Sequence, residues 1–99
     1  MRLRVSQEAA DDLENIWLYT IEHWSAEQAD RYVRLLTGGF DLILNDPTTG
    51  RDFGHVRKDY LGLTVGSHLI FYRLHKADRT VEIIRILHER MDIESRLRP

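Results

Sequence analysis

The sequence predicts an α+β fold: an N-terminal strand, then a helical hairpin packed on a mainly antiparallel β-sheet. Three observations carry this. Apolar residues recur at helical spacing from Ala9 to Leu44. From Tyr60 onward they fall into short runs bounded by turn residues. The 99 residues are 42% hydrophobic, which fits one domain spanning residues 1–99 with one compact core.

Leu3 and Val5 alternate with Arg2 and Arg4, which predicts a short first strand. Its place, at the sheet's edge or between later strands, is open. Ser6 offers a helix N-cap, and Glu8, Asp11 and Asp12 put acids where the helix dipole favours them. Ala9, Leu13, Ile16 and Trp24 then mark one stripe, widened by Trp17 and Ile21, so a helix is expected over 7–23. Ser25-Ala26-Glu27-Gln28 has capping-box form and predicts a short link into a second helix. Ala29, Tyr32, Val33, Leu36, Phe40, Ile43 and Leu44 form that helix's apolar face. Gly38-Gly39 inside it predicts a kink or a close helix contact, and Asn45-Asp46-Pro47 ends it.

Thr48 to Asp52 reads as loop, and Phe53 and Val56 flank an expected short strand. Tyr60 to Val65, a turn at Gly66-Ser67, residues 67–75, a turn at 76–80 and Val81 to His88 complete the sheet. The 69–74 stretch is apolar on both faces and is expected to be central. Pairing across the 76–80 turn sets His68 opposite His88 and Phe71 opposite Arg85, making the two histidines neighbours. The tail, Leu97-Arg98-Pro99, is expected to be mobile.

The chain has no cysteine, which excludes disulfides, thiolate metal sites and thiol catalysis. The start, Met1 to Ser6, is basic but has no apolar run behind it, and does not read as a signal peptide. No run approaches the roughly 18 apolar residues of a membrane span. A net charge of −2 argues against a general nucleic-acid binder. That charge is uneven. Residues 1–50 hold four arginines against nine acids, and residues 51–99 hold ten basic residues against seven acids. The second half could face an acidic helix or a phosphate backbone, or be an ordinary mixed surface.

Two routes to chemistry are open. His55, His68, His75 and His88 make no His-Glu-x-x-His arrangement, so no metal site and no cofactor is expected. Metal-independent RNA cleavage needs a base, an acid and a cation near one phosphodiester. His68, Tyr72, Arg73, Arg85, His88, Glu89 and Arg90 supply those types, although a strand end is also polar simply because it meets water. Trp17, Tyr19 and Trp24 either pack in the core or anchor a partner, and Tyr19 lies off the main stripe.

Five segments carry a resemblance: SQEAADDLENI (6–16), WSAEQA (24–29), NDPTTGR (45–51), GSHLIFYR (66–73) and IIRILHERMD (83–92). In this order and spacing the chain resembles a toxin of the ParE group, within the RelE/ParE superfamily of bacterial toxin–antitoxin modules. The resemblance implies the fold described above, a cytoplasmic location and a cognate ParD-like antitoxin whose C-terminal segment wraps the toxin. It also implies a hetero-oligomer that contacts operator DNA mainly through the antitoxin, with no membrane partner. ParE-like members poison DNA gyrase; RelE-like members cut messenger RNA at the ribosome, typically with basic residues on the central strand. Here that strand reads His68-Leu69-Ile70-Phe71-Tyr72, with nothing basic before Arg73.

The expected activity is therefore gyrase poisoning, which needs no catalysis by the toxin itself. Arg85, His88, Glu89, Arg90, Met91 and Asp92 are expected to bind the target. Trp17, Tyr19, Trp24, Arg57, Tyr72 and Arg73 are expected to bind the antitoxin. The alternative is a ribosome-dependent ribonuclease using His68, Arg73, Arg85, His88 and Arg90. A second alternative is an inactive corepressor that only binds antitoxin.

Overall fold

The computed structural model describes residues 1–97. In chain order the elements are β1 (Arg2–Val5), α1 (Gln7–His23), α2 (Ala26–Asn45), β2 (Arg51–Asp52), β3 (Leu61–Val65), β4 (His68–His75), β5 (Thr80–His88) and α3 (Ile93–Leu97). One sheet has the order β1-β5-β4-β3-β2. β1 runs parallel to β5 at the edge, which resolves its open position. The other pairs are antiparallel.

Local chemistry accounts for the boundaries. Ser6 Oγ accepts from the Ala9 amide at 3.0 Å and donates to the Ile84 carbonyl at 2.7 Å, so it caps α1 and pins it to β5. Ser25 Oγ caps α2 through the Gln28 amide at 3.0 Å. Gly66 sits at φ 57°, and a Cβ there would lie 2.7 Å from Tyr32 Oη, so the β3–β4 turn requires glycine.

The sheet buries apolar side chains on both faces. On the helix side, Ala9, Leu36, Phe40 and Ile43 pack on Ile70, Tyr72, Val81, Ile83 and Ile86. On the other, Leu69, Phe71 and Leu87 lie under Tyr60 and Leu97, with Phe53, Val56 and Ile93 at the rim. The doubly apolar β4 is central, as its sequence requires. Gly39 marks a close contact between helix and sheet: a Cβ there would lie 2.9 Å from both Ile70 Cδ1 and Val65 Cγ2.

Three expectations fail for physical reasons. No strand joins Phe53 to Val56, because β2 ends at Asp52, whose carboxylate accepts from the Gly54 amide at 2.7 Å and turns the chain. Trp24 leaves the core stripe because it is the α1 C-cap, at φ −137° and ψ −100°, and it is 73% exposed. Leu97 belongs to α3 and is buried, since the second face needs an apolar cover; the remainder of the tail, Arg98 and Pro99, lies outside the described residues.

Candidate functional site: a groove at the end of the sheet

A groove of about 640 Å³ opens where α1, the hairpin tip, the start of β4 and the end of β5 meet. Ile16, Tyr19, Trp24 and Met91 give it apolar and aromatic walls, and Asn15, Thr20, Gln28, Tyr32, His68 and His88 give it polar lining. Tyr19 is 60% exposed, so this wall is open to a partner. A larger, shallow depression of about 860 Å³ lies elsewhere, between the 52–61 loop and the 74–78 turn, and lacks both paired histidines.

The register brings the histidines together. His68 pairs with His88 and Phe71 with Arg85, as expected, but Tyr72 pairs with Ile83 and His75 with Thr80, so Ile84 is an extra, bulged residue that shifts the ladder by one. The two imidazole rings meet edge-on with centroids 5.2 Å apart. Tyr32 Oη accepts from the Ser67 amide at 3.0 Å and lies 2.6 Å from His68 Nδ1. Tyr32 Oη thus bridges the Ser67 amide and the His68 ring. The Arg90 amide donates to His88 Nδ1 at 3.1 Å, which leaves Nε2 as the ring nitrogen not used by the backbone. Burial pulls the His68 pKa below the usual histidine range; His88 lowers it further, while Asp12 and Glu89 act the other way.

Arg85 is committed within the fold. Its Nε and Nη2 donate to the two Asp12 oxygens at 2.9 and 3.0 Å, and Glu8 lies 3.4 Å from Nη1. Asp12 also accepts from the Ile86 amide at 2.9 Å, tying α1 to β5. The Asp12 hydrogen bonds hold the guanidinium above the usual arginine range against the effect of burial; the charges of Asp12 and Glu8 add to them.

The other expected residues divide clearly. Glu89, Arg90, Met91 and Asp92 form an exposed turn, fixed by the Glu89 amide on Ser67 O and the Met91 amide on His88 O, both at 3.0 Å. Trp17 is half-buried inside the hairpin, its indole N–H on Asp30 Oδ1 at 2.9 Å. Tyr72 is corrected as a partner contact. It is 0% exposed, and its hydroxyl donates to Pro47 O at 2.8 Å and accepts from the Gly50 amide at 2.9 Å. Arg73 lies across the sheet from the histidines, beside the Tyr60 ring with Arg57. Of the five residues of the ribonuclease reading, Arg85 lines the groove with His68 and His88, whose rings meet, and Arg73 lies on the other face.

Sequence reasoning missed Tyr32 and Asp12 as site residues. Tyr32 reads as one more member of an apolar stripe, and Asp12 as an acid favoured by a helix start. Their partners stand 36 and 73 positions away, so no local signal marks them. Among the described residues, no group of three His, Asp or Glu side chains is placed to hold a metal ion, and no helix is long and apolar enough to cross a membrane.

Comparison with known proteins gives a consistent result. The family described as ParE toxin of type II toxin-antitoxin system, parDE, matches residues 3–93. Toxin ParE1 of Mycobacterium tuberculosis is 36% identical over 96 residues, covering 97% of both chains. Toxin ParE1 of Caulobacter vibrioides is 37% identical over 94 residues, covering 95% of both. A solved structure of the chromosomal ParDE TA system from P. aeruginosa superposes with a TM-score of 0.78 at 19% identity, over 89% of this chain and 95% of the other.

Proposed function

The chain belongs to the ParE toxin family of type II toxin–antitoxin systems, and from that membership we propose that it arrests growth by poisoning DNA gyrase. It is the toxin component of a ParE-type module. One observation favours poisoning over RNA cleavage: the cation of the ribonuclease reading that lines the groove with His68 and His88 is Arg85, and it is already paired within the fold. Arg73 sits on the far face beside Tyr60, and Arg85 is held by Asp12.

A poison needs a binding surface and no chemistry of its own. It must bind the DNA-cleaved state of gyrase better than the resealed one, and so shift that equilibrium. The exposed turn 89–92 and the groove beside it supply such a surface. His88 and Met91, read as target contacts, line the same groove as Tyr19 and Trp24, read as antitoxin anchors. A ParD-like antitoxin seated against the aromatic wall would cover the target surface, so neutralisation follows from occlusion. The P. aeruginosa structure is of a ParDE system, which supports this partner. In this reading the hetero-oligomer works in the cytoplasm and meets operator DNA through the antitoxin.

The test is gyrase supercoiling with the free chain added, scoring linear DNA after protease treatment. Inhibition with accumulated cleaved DNA supports the proposal. No effect from folded, antitoxin-free protein sinks it and makes translating ribosomes the next substrate. Arg90→Ala should keep the fold, since the backbone amide makes the His88 contact, and should weaken growth arrest at equal soluble expression. Undiminished toxicity removes Arg90 from the surface.

A further inference from the structure

Helix α2 carries an apolar stripe that its own chain leaves uncovered. Leu35 and Leu42 are 51% and 56% exposed, and Gly38 between them has nothing within 4 Å of where a Cβ would stand. At about 100° per residue, Arg31, Leu35, Gly38, Gly39, Leu42 and Asp46 fall within roughly 100° of the helix circumference. Contacts fix which flank this is. Asp30, on the other side of α2, meets the Trp17 indole of α1, and Gly39 sits over Val65 and Leu63 of β3. The stripe therefore runs along the β3 side of α2, turned away from α1. None of its residues lines the groove.

The stripe reads the same from either end, except in the sign of its terminal charges. Outward from the Gly38–Gly39 peptide come Leu35 and Leu42 at equal distance, then Arg31 and Asp46 at equal distance. Two leucines thus flank a gap without side chains, and a cation and an anion close the ends. Both charges are within reach of a neighbour. Arg31 meets Glu27 at 2.9 Å with both side chains exposed, a pair worth little in water. Asp46 Oδ1 takes both Thr48 contacts, the amide at 3.1 Å and the hydroxyl at 2.6 Å, which orients the carboxylate and leaves Oδ2 for a cation. None of the ion pairs among the described residues uses Asp46.

We propose that this stripe is a homodimer contact, in which α2 packs antiparallel on α2 of a second copy of the chain. A two-fold contact demands that residue i suit residue j and that j suit i. Laid antiparallel about the glycines, Leu35 meets Leu42 of the second copy and Arg31 meets its Asp46, each contact made twice. The glycines at the crossing let the two helices approach closely. An unrelated partner requires no such symmetry, whereas a second copy requires opposite charges at equal distances from the centre. One helix against one helix is a small interface, so the dimer is weak and forms as concentration rises.

The experiment is sedimentation velocity on the full antitoxin-free chain, from about 5 to about 500 μM at low salt, with far-ultraviolet circular dichroism to check the helices. The wild type should pass from monomer to dimer across that range. Leu42→Glu, at an exposed position, should weaken self-association roughly 30-fold. Charge reversal is the sharper arm. Arg31→Asp sets two like-charged pairs across the two-fold axis, as does Asp46→Arg, and each alone should weaken self-association about tenfold. An equimolar mixture of these two variants should associate within about threefold of wild type, because each copy then offers the charge that the other lacks. Residues 31 and 46 lie about 22 Å apart along the helix, so no repair inside one chain explains that recovery. A wild type that stays monomeric, a Leu42→Glu variant that dimerises like wild type, or a mixture no more associated than its components overturns the proposal. Neither gyrase nor antitoxin enters any arm, so the result stands apart from the proposed function.

Discussion

The two faces of the sheet treat arginine in opposite ways. On the helix face Arg85 meets both oxygens of Asp12, and Glu8 stands beside them. On the other face Arg73 is equally embedded in a strand yet its Nε–H has no partner. The first arginine is used by the fold to join α1 to β5. The second leaves a charge that the fold does not satisfy. An arginine's position on a functional-looking strand is therefore a poor guide to its role, and the fate of its hydrogen bonds is a better one.

The contrast can be broken most severely at Asp12. Asp12→Ala strands a largely buried guanidinium and the Ile86 amide together, and should cost about 3 kcal/mol. Arg73→Gln should change stability by less than about 0.5 kcal/mol, because it removes a donor that was never satisfied. Urea denaturation of both variants checks the pair. Equal losses would mean that the two arginines do the same structural work.

Tyr72→Phe sharpens the comparison at the next level. Its hydroxyl joins the Pro47 carbonyl to the Gly50 amide inside the helix-side core. Losing it should cost about 1–2 kcal/mol in denaturation and leave antitoxin affinity unchanged, since no partner can reach a fully buried ring. A selective loss of antitoxin binding would reinstate Tyr72 as a contact.

These cases show what a sequence of this kind discloses. The elements were legible because their signals are local: Ser6 and Ser25 cap, Pro47 stops a helix, Gly66 turns, and β4 is apolar on both sides. The His68–His88 pairing agreed with the expected register only through the bulge at Ile84: beside the turn His75 pairs with Thr80, a register that unbroken would set His68 opposite Leu87. Trp24 was misread because a C-cap residue leaves the helical phase on which the stripe is counted. Tyr72 was misread because a tyrosine between a histidine and an arginine looks like a contact, and only the tertiary fold shows its hydroxyl bonded inward. The groove itself was illegible, because it needs Asp12 and Tyr32 to reach β5 and β4 from helices far away in the chain.

The adjacent glycines of α2 separate tight packing from mere permissiveness. Gly38→Ala meets nothing within 4 Å and should stabilise by up to about 1 kcal/mol through helix propensity. Gly39→Ala forces its methyl onto Ile70 and Val65, and should destabilise by about 1 kcal/mol after the same propensity gain. Thermal melts of the two variants should therefore move in opposite directions. Two shifts of the same sign would show that the helix rides free of the sheet.

The smallest expected effect tests how far the groove resembles the second face in holding charge in reserve. Burial, then the neighbouring His88, lowers the His68 pKa in the folded chain, against the pull of Asp12 and Glu89. The unfolded chain titrates that histidine near the ordinary value of about 6.5. Above this pH both states are neutral and the His68 contribution is fully present. As pH falls below it the unfolded state takes up the proton first, so stability declines until the folded form protonates too. The slope from one such group cannot exceed about 1.4 kcal/mol per pH unit. Denaturation at pH 7.5 and 5.5 should therefore show a decline that His68→Gln flattens. An opposite slope would mean that folding raises the His68 pKa. The ring would then donate Nδ1–H to Tyr32, and the groove would offer a partner a positive charge at His68.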